Sequence, residues 1–280
     1  MDTVWNILKA VVYGIVEGIT EWLPVSSTGH LILLEQVLPL DVSDGYMDMF
    51  NVVIQFGAIL AVVLMFWKRL WPFDLRKKGG SLIKKGAVPL WSKILVSCVP
   101  AAVVGVLWDD FFESLFYNPV SVSIALIVVG VAFLVIEWAN RAASPRTTDV
   151  DGITYIQAAA IGLFQVAAAV FPGTSRSGAI IMGALLLGLS RKVAAEYAFL
   201  LAVPTMCGAS LLKLMKFGFD FSGEELIILL VGMVVSFGIS LLVIGFLLDY
   251  VRKHDFRAFG YYRIALGAVV LTAFFSGVFY

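Results

Sequence analysis

The sequence predicts an all-α integral membrane protein with six transmembrane helices and two re-entrant, broken-helix hairpins, related by an inverted-topology internal repeat. Three observations lead there. Of 280 residues, 60% are hydrophobic and 14% charged, against about 25% charged in a soluble domain. Apolar runs of about 20 residues, enough for a helix to cross a hydrocarbon core, alternate with short polar stretches along the chain. A polar string containing Pro and Gly recurs about half a chain later. One membrane domain over 1–280, with half-repeats at approximately 1–140 and 150–280, accommodates all three.

In chain order, the first stretch, about 3 to 38, is apolar yet broken at Pro24 to Gly29. Proline removes a backbone donor and glycine admits unusual dihedrals, so a helix, a polar break and a second short helix are expected. Uninterrupted runs at roughly 46 to 67, 92 to 108 and 119 to 139 are each read as a transmembrane helix. A second broken stretch at 153 to 190, with its break at Pro172 to Gly178, opens the second half. Runs at 192 to 215, 225 to 248 and 259 to 279 complete it. Irregular backbone at membrane depth survives only inside protein or beside a water-filled cavity, so the breaks are expected to face an interior.

Lysine and arginine set which loops stay in the cytoplasm. Lys68, Arg69, Arg76, Lys77, Lys78, Lys84 and Lys85 crowd the loop after the first span. If both broken stretches re-enter, Arg141, Arg146, Arg191, Lys192, Arg252, Lys253 and Arg257 fall on that same side. The opposite loops carry Asp41, Asp44, Asp48, Asp109, Asp110, Glu113, Asp220, Glu224 and Glu225, with Lys216 the main basic exception. A full crossing by one broken stretch alone would put basic clusters on both sides, so re-entrance is the economical reading.

Laying residues 13 to 30 over 161 to 178 without a gap pairs Gly14 with Gly162, Glu17 with Gln165, Pro24 with Pro172, Ser26 with Thr174 and Ser27 with Ser175, a constant offset of 162 − 14 = 148. One hairpin and three crossings per half force the second half to run opposite to the first. In such folds the site lies where the broken helices of the two repeats meet.

The formal net charge is zero and no basic block is interleaved with aromatics, so no nucleic-acid partner is expected. Cys98 and Cys207 lie in apolar runs without a second Cys or His at ligand spacing, which argues against a disulfide framework or a zinc site. The N-terminus, with Asp2 and Lys9, lacks the basic n-region and cleavage site of a signal peptide, and is expected to be retained.

The chemistry concentrates in the breaks. The string GIVEGITEWLPVSSTGH, Gly14 to His30, places Glu17 and Glu21 one helical turn apart on one face. Carboxylates inside a membrane segment are costly unless paired, hydrated or metal-bound, and are functional candidates for that reason. Ser26, Ser27, Thr28, Gly29 and His30 follow with hydroxyls, helix-start N–H groups that favour anions, and an imidazole. The second break, PGTSRSG, supplies Gly173, Thr174, Ser175, Ser177 and Arg176, whose guanidinium fork matches a phosphate or carboxylate. Carboxylates, hydroxyls, a histidine and an arginine together suit phosphoryl transfer.

These two strings, with the FNVVIQFGAI run at Phe50 to Ile59, resemble the bacterial undecaprenyl pyrophosphate phosphatase family, also called the bacitracin-resistance BacA family, over essentially the whole chain. The resemblance implies hydrolysis of a polyprenyl pyrophosphate lipid to the monophosphate carrier of cell-wall synthesis, with a divalent cation, Mg2+ or Ca2+. It implies a multi-pass protein of the bacterial inner (plasma) membrane with its site open to the periplasmic side, and a possible homodimer. Matched to the family motifs, Glu17 and Glu21 serve metal binding or acid–base work, and Ser27, Thr28, His30 and Arg176 contact or attack the phosphate.

Two other classes bear on the reading. A secondary transporter or flippase of a phosphorylated lipid shares the architecture of inverted repeats with broken helices, but the density of nucleophile-type residues favours an enzyme. Membrane phosphatases with a histidine nucleophile carry a string like SSTGH, yet need a second histidine soon after a Ser-Arg pair, and none follows Arg176 closely. Ser27, His30 and a metal-bound water all stand as nucleophiles. Ser27 is preferred, because it pairs with Ser175 in the repeat and follows Glu21 across the break.

Overall fold

A computed structural model describes residues 2–74, 82–218 and 221–277. Arg76, Lys77, Lys78 and Asp220, counted above for orientation, lie outside them. All the regular elements among the described residues are helices: α1 (Asp2–Thr20), α2 (Ser27–Val37), α3 (Tyr46–Val53), α4 (Gln55–Met65), α5 (Trp67–Leu70), α6 (Ala87–Phe116), α7 (Pro119–Ala139), α8 (Tyr155–Val170), α9 (Arg176–Leu186), α10 (Arg191–Phe217), α11 (Gly223–Tyr250) and α12 (Arg257–Phe275), with a short 3₁₀ turn at Val150–Gly152. Six segments among the described residues are long and apolar enough to cross a membrane. They are the six that the apolar runs single out.

Their starts are written in the sequence. Asn118 accepts the Ser121 N–H ahead of Pro119 at α7, and capping boxes, Thr154 with Gln157 and Ser222 with Glu225, open α8 and α11. The run from Tyr46 carries a short irregularity at Ile54, where the Gly57 N–H donates to the Ile54 carbonyl three residues back. The expected span at 92 to 108 falls within the membrane-length segment Ala87–Trp108, and the helix that carries it, α6, continues to Phe116. Its apolar run ends before Asp110 and Glu113, but the helix goes on because Lys216 and Lys213 of α10 pair with them at 2.8 and 2.9 Å.

α2 doubles back along α1. The Tyr13 hydroxyl donates to the Leu38 carbonyl at 3.3 Å and Asn6 to that of Asp41 at 3.2 Å. α9 doubles back along α8, where the Gln157 amide donates to the Leu187 carbonyl at 3.2 Å. Each pair is a hairpin with its break at the tip. α1 packs along α11, α8 along α6, and α7 along α12. The contacts are close because Gly14 and Gly162 lie in them. An added Cβ would come within 2.6 Å of the Gly232 carbonyl at the first and of the Ser97 carbonyl at the second.

Polar contacts sort the loops onto two faces. On one, Arg69 donates to Asp149, Asp151 and Glu196 at 3.2, 3.1 and 3.5 Å. Beside it Arg191 pairs with Glu137, which also accepts the Phe256 N–H at 3.0 Å. The connections after α5, α7, α9 and α11 therefore meet. At the other end of α11, Asn6 and Ser43 donate to Glu224 and Glu225 at 3.1 and 3.0 Å.

Candidate active site

The tips of the two hairpins meet inside the helix bundle. Each ends in a serine with backbone on the positive-φ side, Ser26 at φ 72° and Ser175 at φ 71°, the two non-glycine residues in that state among the described ones. Both cap the short helix that follows. Ser26 Oγ accepts the Gly29 N–H at 3.3 Å and Ser175 Oγ the Gly178 N–H at 3.2 Å. The caps lie 175 − 26 = 149 apart, whereas the prolines lie 148 apart. The ungapped match thus holds as far as Pro24 and Pro172, and the second break carries one extra residue before its cap. Ser26 corresponds to Ser175, and Ser27 to Arg176 rather than to Ser175. Gly173 supplies the bend, at φ 93°, with the Val122 carbonyl 2.7 Å from where a Cβ would stand.

Glu21 is the centre of the site. One carboxylate oxygen accepts the Ser27 hydroxyl at 2.6 Å and the other accepts Arg176 Nη2 at 2.9 Å. Arg176 Nη1 donates to the Ala198 carbonyl at 3.0 Å, which fixes the plane of the fork. The Ser177 hydroxyl donates to the Glu21 carbonyl at 3.2 Å and lies 3.1 Å from Ser175 Oγ. The Glu21 and Arg176 side chains are 8% and 15% exposed, so their attraction is little screened by water.

Glu21, Ser27, Thr28, Gly173, Ser175 and Arg176 border one cavity of about 600 Å3, whose remaining walls are mainly small or apolar residues of α6, α8 and α10. At the starts of α2 and α9, which edge it, the first backbone N–H groups have no intrahelical acceptor. A hydroxyl hydrogen-bonded to a carboxylate, a guanidinium and two helix starts around a half-apolar cavity can hold an anionic head and an apolar tail at once.

Of the residues singled out in the sequence, Ser26, Thr174 and Ser177 build the tips rather than line the cavity. Glu17 is fully buried one turn before Glu21, and neither of its oxygens has a partner. A carboxylate with two idle oxygens beside a second carboxylate suits a hard cation, which takes its remaining oxygen ligands from phosphate and water. No cluster of three His, Cys, Asp or Glu that could hold a metal ion stands among the described residues.

His30 turns elsewhere. Its Nδ1 lies 2.7 Å from the Ser26 carbonyl and its Nε2 2.6 Å from the Tyr262 hydroxyl, with the two rings stacked. A carbonyl only accepts, so Nδ1 carries the proton. Both nitrogens are engaged, and His30 does not border the cavity.

Two residues of α12 escaped the sequence reading. Tyr262 is one. The other, Arg263, is fully buried and donates to the Pro24 carbonyl of the first break at 3.1 Å and to the Gly173 and Thr174 carbonyls of the second at 2.7 and 2.9 Å. An arginine inside a span is the same signal that marked Arg176.

Residues 10–269 match the family model described as bacitracin resistance protein BacA. The chain belongs to the BacA family. The BacA match takes in both breaks. The chain is similar to the undecaprenyl-diphosphatase of Desulfitobacterium hafniense, 56% identical over 96% of each chain. It is 55% identical to undecaprenyl-diphosphatase 1 of Clostridium acetobutylicum over 96% of this chain and 97% of that one, and 53% identical to the undecaprenyl-diphosphatase of Enterococcus faecalis over 95% and 96%.

Proposed function

We propose that this BacA-family chain is a membrane phosphatase that hydrolyses undecaprenyl pyrophosphate to undecaprenyl phosphate and inorganic phosphate. The observation that carries the reading is the Ser27–Glu21–Arg176 array, in which one carboxylate takes a hydroxyl proton on one oxygen and a guanidinium on the other. The names of the relatives are enzyme names and do not favour a transporter.

Ser27 Oγ attacks the terminal phosphorus as Glu21 accepts its proton. The new O–P bond forms as the anhydride P–O bond breaks, and lipid monophosphate leaves. Glu21 passes its proton to the departing lipid phosphate. Water then attacks the phosphoserine as Glu21 accepts its proton, and the O–P bond to Ser27 breaks. Glu21 returns the proton to Ser27 Oγ, and inorganic phosphate departs. Arg176 and the N–H groups at the starts of α2 and α9 hold the charge on the peripheral phosphate oxygens. The apolar walls of the cavity receive the first part of the prenyl chain. Glu17 and Glu21 are assigned to a divalent cation, Mg2+ or Ca2+, which when bound offsets phosphate charge.

The two broken stretches are read as re-entrant hairpins, supported by the return of α2 and α9 alongside α1 and α8. The halves are read as an inverted repeat, supported by the exchange of partners, α1 with α11 against α8 with α6. With the basic loops inside, the tips approach from opposite faces and the cavity opens to the outer side of the cytoplasmic membrane.

Phosphate release decides the function. Purified protein in detergent, with no gradient across it, is expected to free inorganic phosphate from a prenyl pyrophosphate in the presence of Mg2+ or Ca2+. No release with either cation would refute the reading.

A further inference from the structure

Of the polar side chains that border the cavity, the mechanism above uses those of Glu21, Ser27 and Arg176, and Gln165 is among those it leaves over. Gln165 lies on α8, in the corresponding repeat position to Glu17, 165 − 17 = 148 residues later. It is 3% exposed, and its carbonyl oxygen is buried without a hydrogen-bond partner. It borders the cavity together with Arg176, Ser175 and Ser27. The amide has no protein partner at either end.

A buried amide oxygen without a partner is costly unless a bound group or water meets it. Two polar groups on α8 and on the α6 helix packed against it have partners in the protein. Ser97 donates to the Ala158 carbonyl at 2.6 Å and Gln157 to the Leu187 carbonyl at 3.2 Å, so each is satisfied in place. Gln165 is held in the wall of a cavity that Arg176 and Lys213 also border, and is left open. Its charge state also differs from that of its counterpart. A further carboxylate at this position would repel a pyrophosphate, whereas a neutral amide brings two N–H donors and no negative charge.

We infer that Gln165 is a substrate-binding residue whose amide donates a hydrogen bond to a phosphate oxygen in the cavity, opposite the Ser27–Glu21 pair. The inference rests on the phosphatase reading for the identity of the ligand, and on the cavity alone for the contact. A hydrogen bond to a charged oxygen is among the stronger kind. Its loss should lower kcat/KM for a prenyl pyrophosphate by about ten- to a hundredfold.

The test uses full-length protein in detergent and two measurements, calorimetric binding of inorganic pyrophosphate and turnover of a prenyl pyrophosphate. Gln165→Leu keeps the volume and removes the donors. Gln165→Glu keeps the shape and adds a negative charge, so it also controls for packing. Pyrophosphate binding is expected to weaken about tenfold or more in Gln165→Leu and further in Gln165→Glu, with kcat/KM falling in the same order. Parent-like pyrophosphate binding in Gln165→Leu, or a parent that binds no pyrophosphate, overturns the inference. If the parent turns over no prenyl pyrophosphate while both variants lose pyrophosphate binding, the phosphatase reading fails and the role of Gln165 stands. If the parent is active and Gln165→Leu matches it in both measurements, the role of Gln165 falls alone.

Discussion

Ser26 and Ser175 share one strained backbone state and one capping bond, 149 residues apart, and between them set where both short helices begin. A non-glycine residue on the positive-φ side costs about 1–3 kcal/mol, which the rest of the structure must offset. Alanine at either position keeps the strain and removes the cap, whereas glycine relieves the strain and caps almost as well. Thermal unfolding in detergent is expected to rank Ser26→Gly above Ser26→Ala by roughly 1 kcal/mol, and the position 175 variants likewise. Alanine variants as stable as the glycine ones would show that the backbone there is unstrained.

Ser27 as the nucleophile predicts a covalent phosphoserine, stable to acid. Ser27→Ala should lose about a thousandfold or more in turnover and trap nothing when labelled lipid pyrophosphate is quenched in acid. Glu21→Gln should trap far less than the parent, because the amide takes no proton from the hydroxyl. An acid-labile phosphohistidine in the parent would move the nucleophile to another residue.

Arg176→Lys keeps the charge but cannot reach the Ala198 carbonyl and Glu21 in one plane while presenting N–H groups to the phosphate. Turnover should fall about a hundredfold while the protein still folds, as judged by gel filtration and thermal unfolding. Near-normal turnover would leave Arg176 as the structural partner of Glu21.

His30, with both nitrogens engaged, braces the first tip through the Ser26 carbonyl. His30→Gln and Tyr262→Phe should each cost less than the roughly hundredfold that removal of a general acid or base gives, and their effects should not add in the double variant. A larger loss in His30→Gln with none in Tyr262→Phe would return the imidazole to the chemistry.

Single cysteines at Asp44 and Arg146, in a background lacking Cys98 and Cys207, report the orientation. A membrane-impermeant maleimide added to intact cells should label position 44 and spare position 146. The opposite pattern would invert the topology and move the cavity mouth to the cytoplasm.

How much of this was legible depended on the range of the interaction. The spans follow from hydropathy, a property of each segment alone, and α7 starts and stops where its apolar run does. Pro24, Pro172 and their glycines marked the breaks because backbone chemistry acts locally. The one-residue shift between the breaks was hidden because an ungapped comparison of two short strings can slide past an insertion. Glu21 with Arg176 was readable as a pairing of buried charges in need of partners. His30 was not, because its direction is set by Tyr262, 232 residues away. Arg263 carried a readable signal, a charge within an apolar run, but its partners are main-chain carbonyls that no side-chain motif reveals.

The clasp made by Arg263 has a consequence for how the protein matures. It joins the two tips from a position 239 residues after Pro24 and 90 after Gly173. On the ribosome, both tips are therefore complete long before the residue that fastens them emerges. Until α12 is inserted, the three carbonyls it binds have to find water or lipid headgroups, and the tips are joined through the contacts of Glu21, which holds Ser27, with Arg176 and Ser177. The clasp would then be added late in synthesis, and a chain stalled before α12 would reside in the membrane with its two tips unfastened at these carbonyls.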